Sequence, residues 1–201
     1  MEDIYHTVVR ESQGSYKDRG SKFYAFVFPV SSEEEVKQHQ AELRKEYHDA
    51  RHHVYAFIIG ADNLFYRASD DGEPANSSGM PVLGQIRSNN LTNVLIVVIR
   101  YFGGVKLGIP GLINAYKTAA ADAIANNEII EKVVSKQVIV QFDYALMNDV
   151  MRVAKEEQLE QLDQHFEMDC RIVFLVKRSE VERITDRFEL IYGVEINVTK
   201  E

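Results

Sequence analysis

The sequence has one cysteine, Cys170, so neither an internal disulfide framework nor a multi-cysteine metal site can be built from it. It has no long hydrophobic run. The longest strongly apolar stretch, Val94 to Ile99, ends at Arg100, far short of the roughly 20 residues that span a bilayer. The opening residues, Met1-Glu2-Asp3-Ile4-Tyr5-His6, carry acid where a secretory signal carries base, and no apolar segment follows. The expectation is a cytoplasmic protein in a reducing compartment, with no membrane partner. Basic residues are outnumbered, 23 Lys and Arg against 31 Asp and Glu, for a net charge of −8. That excludes a globally basic nucleic-acid coat, while a local patch stays open. No repeat, low-complexity tract or Pro/Ser-rich linker occurs, and 201 residues with 45% hydrophobic content suit one large domain or two small ones.

The order of elements divides the chain. Residues 22–28 read as an aromatic-rich strand. Ser32, with Glu35 three residues on, opens a helix as a capping box, and Val36, His39, Leu43 and Tyr47 share one face of it. A second strand runs from His53 to Ile59, with a hairpin partner from Leu64 to Ala68. An irregular polar stretch, residues 69–81, leads to a short helix from Pro81 to Arg87. The unbroken apolar run from Asn93 to Phe102 suits a strand buried on both faces. A glycine-rich loop follows, then a helix with Pro110 in its first position and a stripe of Leu112, Ile113, Tyr116, Ala120, Ala123 and Ile124. Beyond about Val134 the pattern becomes β-α-β-β-α-β, with Ser179 and Glu182 as a second capping box. The expected boundary gives domains of 1–134 and 135–201, with net charges of −3 and −5.

The chemistry-bearing residues lie in the first domain. Asp70, Asp71 and Glu73 fall within four positions and offer hard oxygen ligands for Mg²⁺ or Ca²⁺. The plainer reading makes Asp70 and Asp71 turn caps and pairs Glu73 with a basic neighbour. No tight metal is expected, because soft ligands are absent. Arg100 leads into Gly103-Gly104-Val105-Lys106, a strand–glycine loop–helix passage where backbone N–H groups can approach an anion. It is neither a Walker A loop nor a dinucleotide fingerprint, so the glycines read equally as turn and packing residues. His52 and His53 point to opposite faces of a strand, so they do not share a metal; His53 is the acid/base candidate beside the acidic loop. No nucleophile elbow or HExxH motif occurs. Cys170 alternates with Ile172, Phe174 and Val176 and is placed in a core.

These residues resemble a known family. Ser69-Asp-Asp-Gly-Glu-Pro-Ala75, Gly79-x-Pro81, the run from Val98 to Gly108, Gly111-Leu112 and Ala115-Tyr116 are similar in sequence and spacing to the YigZ/IMPACT family. Ser21-Lys22-Phe23 and Ala50-x-His52-x-x-x-Ala56 fit the same pattern. The chain departs where many members read Leu-Gly-Thr-Gly-Gly-Leu: here it reads Leu107-Gly-Ile-Pro-Gly-Leu112, which removes a backbone donor at the helix start. The resemblance implies an α+β protein, with an S5-domain-2-like N-terminal domain and a ferredoxin-like C-terminal domain resembling one in a translation factor. It implies a translation-associated accessory protein whose partners are the ribosome, structured RNA or a translation factor.

The alternatives are a small-molecule enzyme using the glycine loop for phosphate and the acidic loop for metal, or a pure protein-interaction module. The balance favours a non-enzymatic role, with no cofactor. The binding candidates are His53, Asp70, Asp71, Glu73, Arg100, Gly103, Gly104 and Lys106. Arg67, Arg87, Arg100, Lys106 and Lys117 are the candidate cations of an RNA-facing surface.

Overall fold

The computed structural model describes residues 3–167 and 169–199. The chain divides into two compact units: residues 5–132, and the remainder together with residues 3 and 4. The fold is mixed α+β in both.

In chain order, the first unit begins with β1 (Ile4–Val8), β2 (Ser12–Asp18), β3 (Ser21–Pro29) and α1 (Glu33–Glu46). It continues with β4 (His52–Ile59), β5 (Phe65–Ser69), α2 (Gly79–Ser88), β6 (Val94–Tyr101), α3 (Gly108–Ala125) and β7 (Ile129–Val133). Five strands form an antiparallel sheet in the order β2-β3-β6-β4-β5, while β1 and β7 pair separately. The central strand explains its own composition. Val94, Ile96 and Val98 pack with α2 and α3; Leu95, Val97 and Ile99 pack on the opposite face with α1. A strand covered on both sides needs apolar residues at every position, so alternation is lost.

Local signals set the helices. At α1 the Ser32 hydroxyl accepts the Glu35 N–H, and the Glu35 carboxylate accepts the Ser31 N–H at 2.6 Å, one residue before the expected partner. Helix α3 starts at Gly108, two residues before Pro110. Its buried face runs through Leu112, Ala115, Tyr116, Ala119, Ala120 and Ala123, and Ile113 is turned outward, off the expected stripe. The alanines let α3 lie close to β2: a Cβ on Gly14 would fall 2.2 Å from the Ala123 nitrogen. The strands β1, β2 and β7 are absent from the sequence reading. Polar β2, Ser-Gln-Gly-Ser-Tyr-Lys-Asp, carries little strand signal, and its place comes from pairing with β3 and contact with α3.

The second unit contains β8 (Ser135–Asp143), α4 (Met147–Glu156), β9 (Glu160–Phe166), β10 (Asp169–Lys177), α5 (Val181–Glu189) and β11 (Glu195–Val198). The sheet order β11-β8-β10-β9 is the ferredoxin-like arrangement, with Val140, Ile172, Phe174 and buried Cys170 in its core. The Ser179–Glu182 capping box does not form. Residues 178–180 make a 3₁₀ turn, and the Ser179 N–H is taken by the Asp3 carboxylate at 3.1 Å.

Candidate functional site

Register brings four loops of the first unit to one end of the five-stranded sheet. His52 lies opposite Arg100, Lys22 opposite Tyr101, Asp18 opposite Ser21, and Tyr55 opposite Ser69. The β2–β3 turn, the α1–β4 loop, the acidic loop after β5 and the glycine loop after β6 therefore converge. A cavity of about 900 Å³ opens there, its wall including Asp49, Arg51, His52, Glu73, Arg100, Phe102 and Lys106.

The three acidic residues do three different things. Asp70 is a turn organiser. Its carboxylate accepts the N–H groups of Asn76, Ser78 and Gly79 and the Ser78 hydroxyl. Burial pushes its pKa up, but these hydrogen bonds outweigh that and hold it below the ordinary aspartate value. Asp71 sits in the left-handed region at φ 42°. Its carboxylate accepts Arg44 at 2.9 Å and the His53 N–H at 2.7 Å, which ties the loop to β4. Glu73 turns inward. Its Oε1 accepts Arg100 at 2.6 Å and the Tyr116 hydroxyl at 2.8 Å. Arg100 is 7% exposed and the Glu73 side chain 4%. Burial, then the Glu73 charge, raises the Tyr116 pKa far above the usual phenol value, so Tyr116 stays a donor.

Arg100 also lies over two rings, 5.5 Å from the Phe23 centroid and 5.6 Å from that of Phe102. Its charge is spent inside the protein. Beside it, the Tyr101 hydroxyl donates to Asp49 at 2.6 Å, and that bond leads in pushing the Tyr101 pKa up to about 12.

The glycine loop divides by role. A Cβ on Gly103 would lie 1.9 Å from the Gly20 carbonyl carbon, so Gly103 lets two loops pack backbone to backbone. Gly104, at φ +88°, faces open space. Lys106 is exposed on the cavity wall.

The acid/base candidate expected from the sequence, His53, does not line the cavity. His53 is buried on the α1 face, with neither ring nitrogen in a hydrogen bond of ordinary geometry. Burial first, then Arg44, lowers its pKa, against a smaller opposing pull from Asp71. Its ring lies on the other side of the sheet from Arg100 and Glu73, because neighbouring strand residues alternate. His52 lines the cavity instead. Its Nδ1 is 2.9 Å from the Asp71 carbonyl oxygen. A carbonyl only accepts, so Nδ1 carries the proton and Nε2 of the neutral ring is left as an acceptor.

The expected cation surface is dispersed. Arg67 pairs with Glu33 and lies over Phe57; Arg87 lies over Tyr66 at 4.4 Å; Arg100 is internal. Lys117 is exposed on α3. Other cations hold the loop end. Lys17, Arg19, Lys22 and Arg51 are exposed there, and with Lys106 they have no ion-pair partner among the described residues. Sequence reasoning passed over Lys17 and Arg19 because their strand and turn were not assigned, and read Lys22 and Arg51 only as parts of strands or motifs. It also passed over Tyr116 and Phe102 as site residues, although both stand inside the quoted motifs. Among the described residues, no three His, Cys, Asp or Glu groups gather to hold a metal ion.

The Impact N-terminal domain family matches residues 19–124, which hold all four converging loops. The chain belongs to the IMPACT family. It is 30% identical to an IMPACT family member of Haemophilus influenzae over 164 residues, 81% of this chain and 80% of that one. Against mouse protein IMPACT the identity is 38% over 96 residues, 45% of this chain but 30% of the mouse protein. A crystal structure of a hypothetical protein matches with a TM-score of 0.73 at 22% identity, covering 100% of both chains, a likeness of fold. No helix among the described residues is long and apolar enough to cross a membrane.

Proposed function

We propose that this IMPACT family protein is a translation-associated accessory protein that binds structured RNA of the ribosome through the loop end of its first unit. One observation carries the reading. Lys17 and Lys22 are direct register partners on neighbouring strands, and both are exposed. Like charges placed so destabilise a sheet, and an anion resting on them removes that cost. Arg19 lies in the turn between them, and Arg51 and Lys106 border the cavity at the same end. The net charge of −8 makes this local excess of unpaired cations informative. The role places the protein in the cytoplasm.

A second reading rests on different residues. Val105, Ile109 and Ile113 are exposed beside the same loop, which suits a protein partner such as a translation factor. Co-sedimentation with ribosomes separates the two. Alanine at Lys17, Lys22, Arg51 and Lys106 together should abolish pelleting if RNA phosphates are bound. Intact pelleting of that variant, with loss on Val105→Ser and Ile109→Ser, would replace the RNA reading with the protein one.

A further inference from the structure

We propose that the cavity of the first unit takes one nucleoside monophosphate unit, its base on Phe102 and its phosphate between Arg51 and Lys106. The inference rests on the RNA reading only for the source of that unit, an unpaired residue of a folded RNA; a free nucleotide carries the same chemistry.

The size fits, since about 900 Å³ lies within the range of cavities that enclose small molecules. The mouth carries a ready aromatic platform. Phe102 is 57% exposed, and its ring is held beside the Arg100 guanidinium, itself fixed by Glu73. An aromatic ring kept in water at a cavity mouth suits a planar ligand, and stacking of this kind accepts any base.

The wall then discriminates. Glu73 Oε1 accepts two hydrogen bonds, whereas its Oε2 accepts none among the described residues. In the neutral ring His52 Nε2 is a second acceptor, because Nδ1 is committed to the Asp71 carbonyl. Acceptors on the wall call for donors on the ligand. Guanine presents a ring N–H and an amine on one edge; uracil presents two carbonyls around a single N–H. The site should therefore prefer guanine.

The phosphate has a separate place. Arg51 and Lys106 are exposed, line the cavity and have no ion-pair partner among the described residues. Their charges are not cancelled by Glu73, which Arg100 already neutralises.

The test compares four probes on the full chain: GMP, UMP, an RNA hairpin with unpaired guanines in its loop, and a blunt RNA duplex of equal length. Binding is followed by fluorescence anisotropy for the RNAs and calorimetry for the nucleotides, with the wild type, Phe102→Ala and Lys106→Ala. Thermal melts verify that each variant is folded. The hairpin should bind about tenfold more tightly than the duplex, the loss expected for one unstacked base. Phe102→Ala should erase that difference while leaving duplex binding unchanged, and GMP should bind better than UMP. Equal binding of hairpin and duplex overturns the cavity assignment and leaves the RNA reading standing. Saturable GMP binding without RNA binding upholds the cavity assignment and overturns the RNA reading. Binding of none of the four overturns both.

Discussion

Arg100 donates to Glu73 at 2.6 Å across 27 residues of sequence, joining the end of β6 to the acidic loop beneath the cavity. The pair, joined by the Tyr116 hydroxyl at Oε1, is an internal ion pair rather than a free base beside a free cation. Catalysis by either residue would first require the pair to open.

The first prediction follows from that burial. Removing one member of a buried pair leaves an uncompensated charge, a loss of about 3–5 kcal/mol. Glu73→Gln and Arg100→Met should each lower the unfolding free energy of the first unit, read from urea titrations, by an amount in that range. The double substitution should cost less than the two single losses added. Tyr116→Phe removes one hydrogen bond to a charged acceptor and should cost about 2 kcal/mol. Additive single losses would show that the two groups do not act as a pair.

Asp70 sets a second expectation. Its folded pKa lies below the ordinary value, because the Ser78, Gly79 and Asn76 donors outweigh the opposing effect of burial. The stability it contributes is therefore present above the unfolded aspartate pKa of about 3.9 and lost as pH falls through the lower folded value. Asp70→Asn should flatten the acid limb of a stability–pH curve. An unchanged limb would remove Asp70 from the account of the loop.

His53 acts in a different window. Burial lowers its pKa, so the folded state favours the neutral ring. Its contribution is present above the unfolded histidine pKa of about 6.5 and falls away on acidification through the lower folded value. Thermal melts from pH 7.5 to 5 should show a loss that His53→Phe removes. A wild type and variant with parallel profiles would contradict the placement.

These expectations also show what the sequence carries and what it does not. The double-faced burial of β6 is readable from Val94 to Ile99, and the second unit is readable from its element order. Cys170 faces the core, as its alternation with Ile172 and Phe174 implies. The roles of His52 and His53 are not readable, because parity separates the two rings without saying which face holds the cavity. The Ser179 cap fails for a comparable reason. Its competitor, Asp3, lies 176 residues away in sequence. Lys17 and Arg19 escape notice because β2 is too polar to announce itself as a strand.

The two loop glycines make a paired prediction. Gly103→Ala places a methyl 1.9 Å from the Gly20 backbone and should destabilise severely, with the β2–β3 turn displaced. Gly104→Ala meets open space and only the strain of φ +88°, about 1–2 kcal/mol. Equal losses in denaturant titrations of the two variants would refute the packing role given to Gly103.

The salt dependence of binding to ribosomal RNA tests the central claim most directly. Each phosphate contact adds a slope of about −0.9 to a plot of log affinity against log salt. The account predicts a clearly negative slope for the full chain, made shallower by about one for each of Lys17, Lys22, Arg51 and Lys106 replaced by alanine. Melting temperatures should not fall, because exposed charges contribute little to stability and alanine at Lys17 and Lys22 removes a like-charge contact. A slope that is the same for the wild type and the fourfold variant would contradict the account.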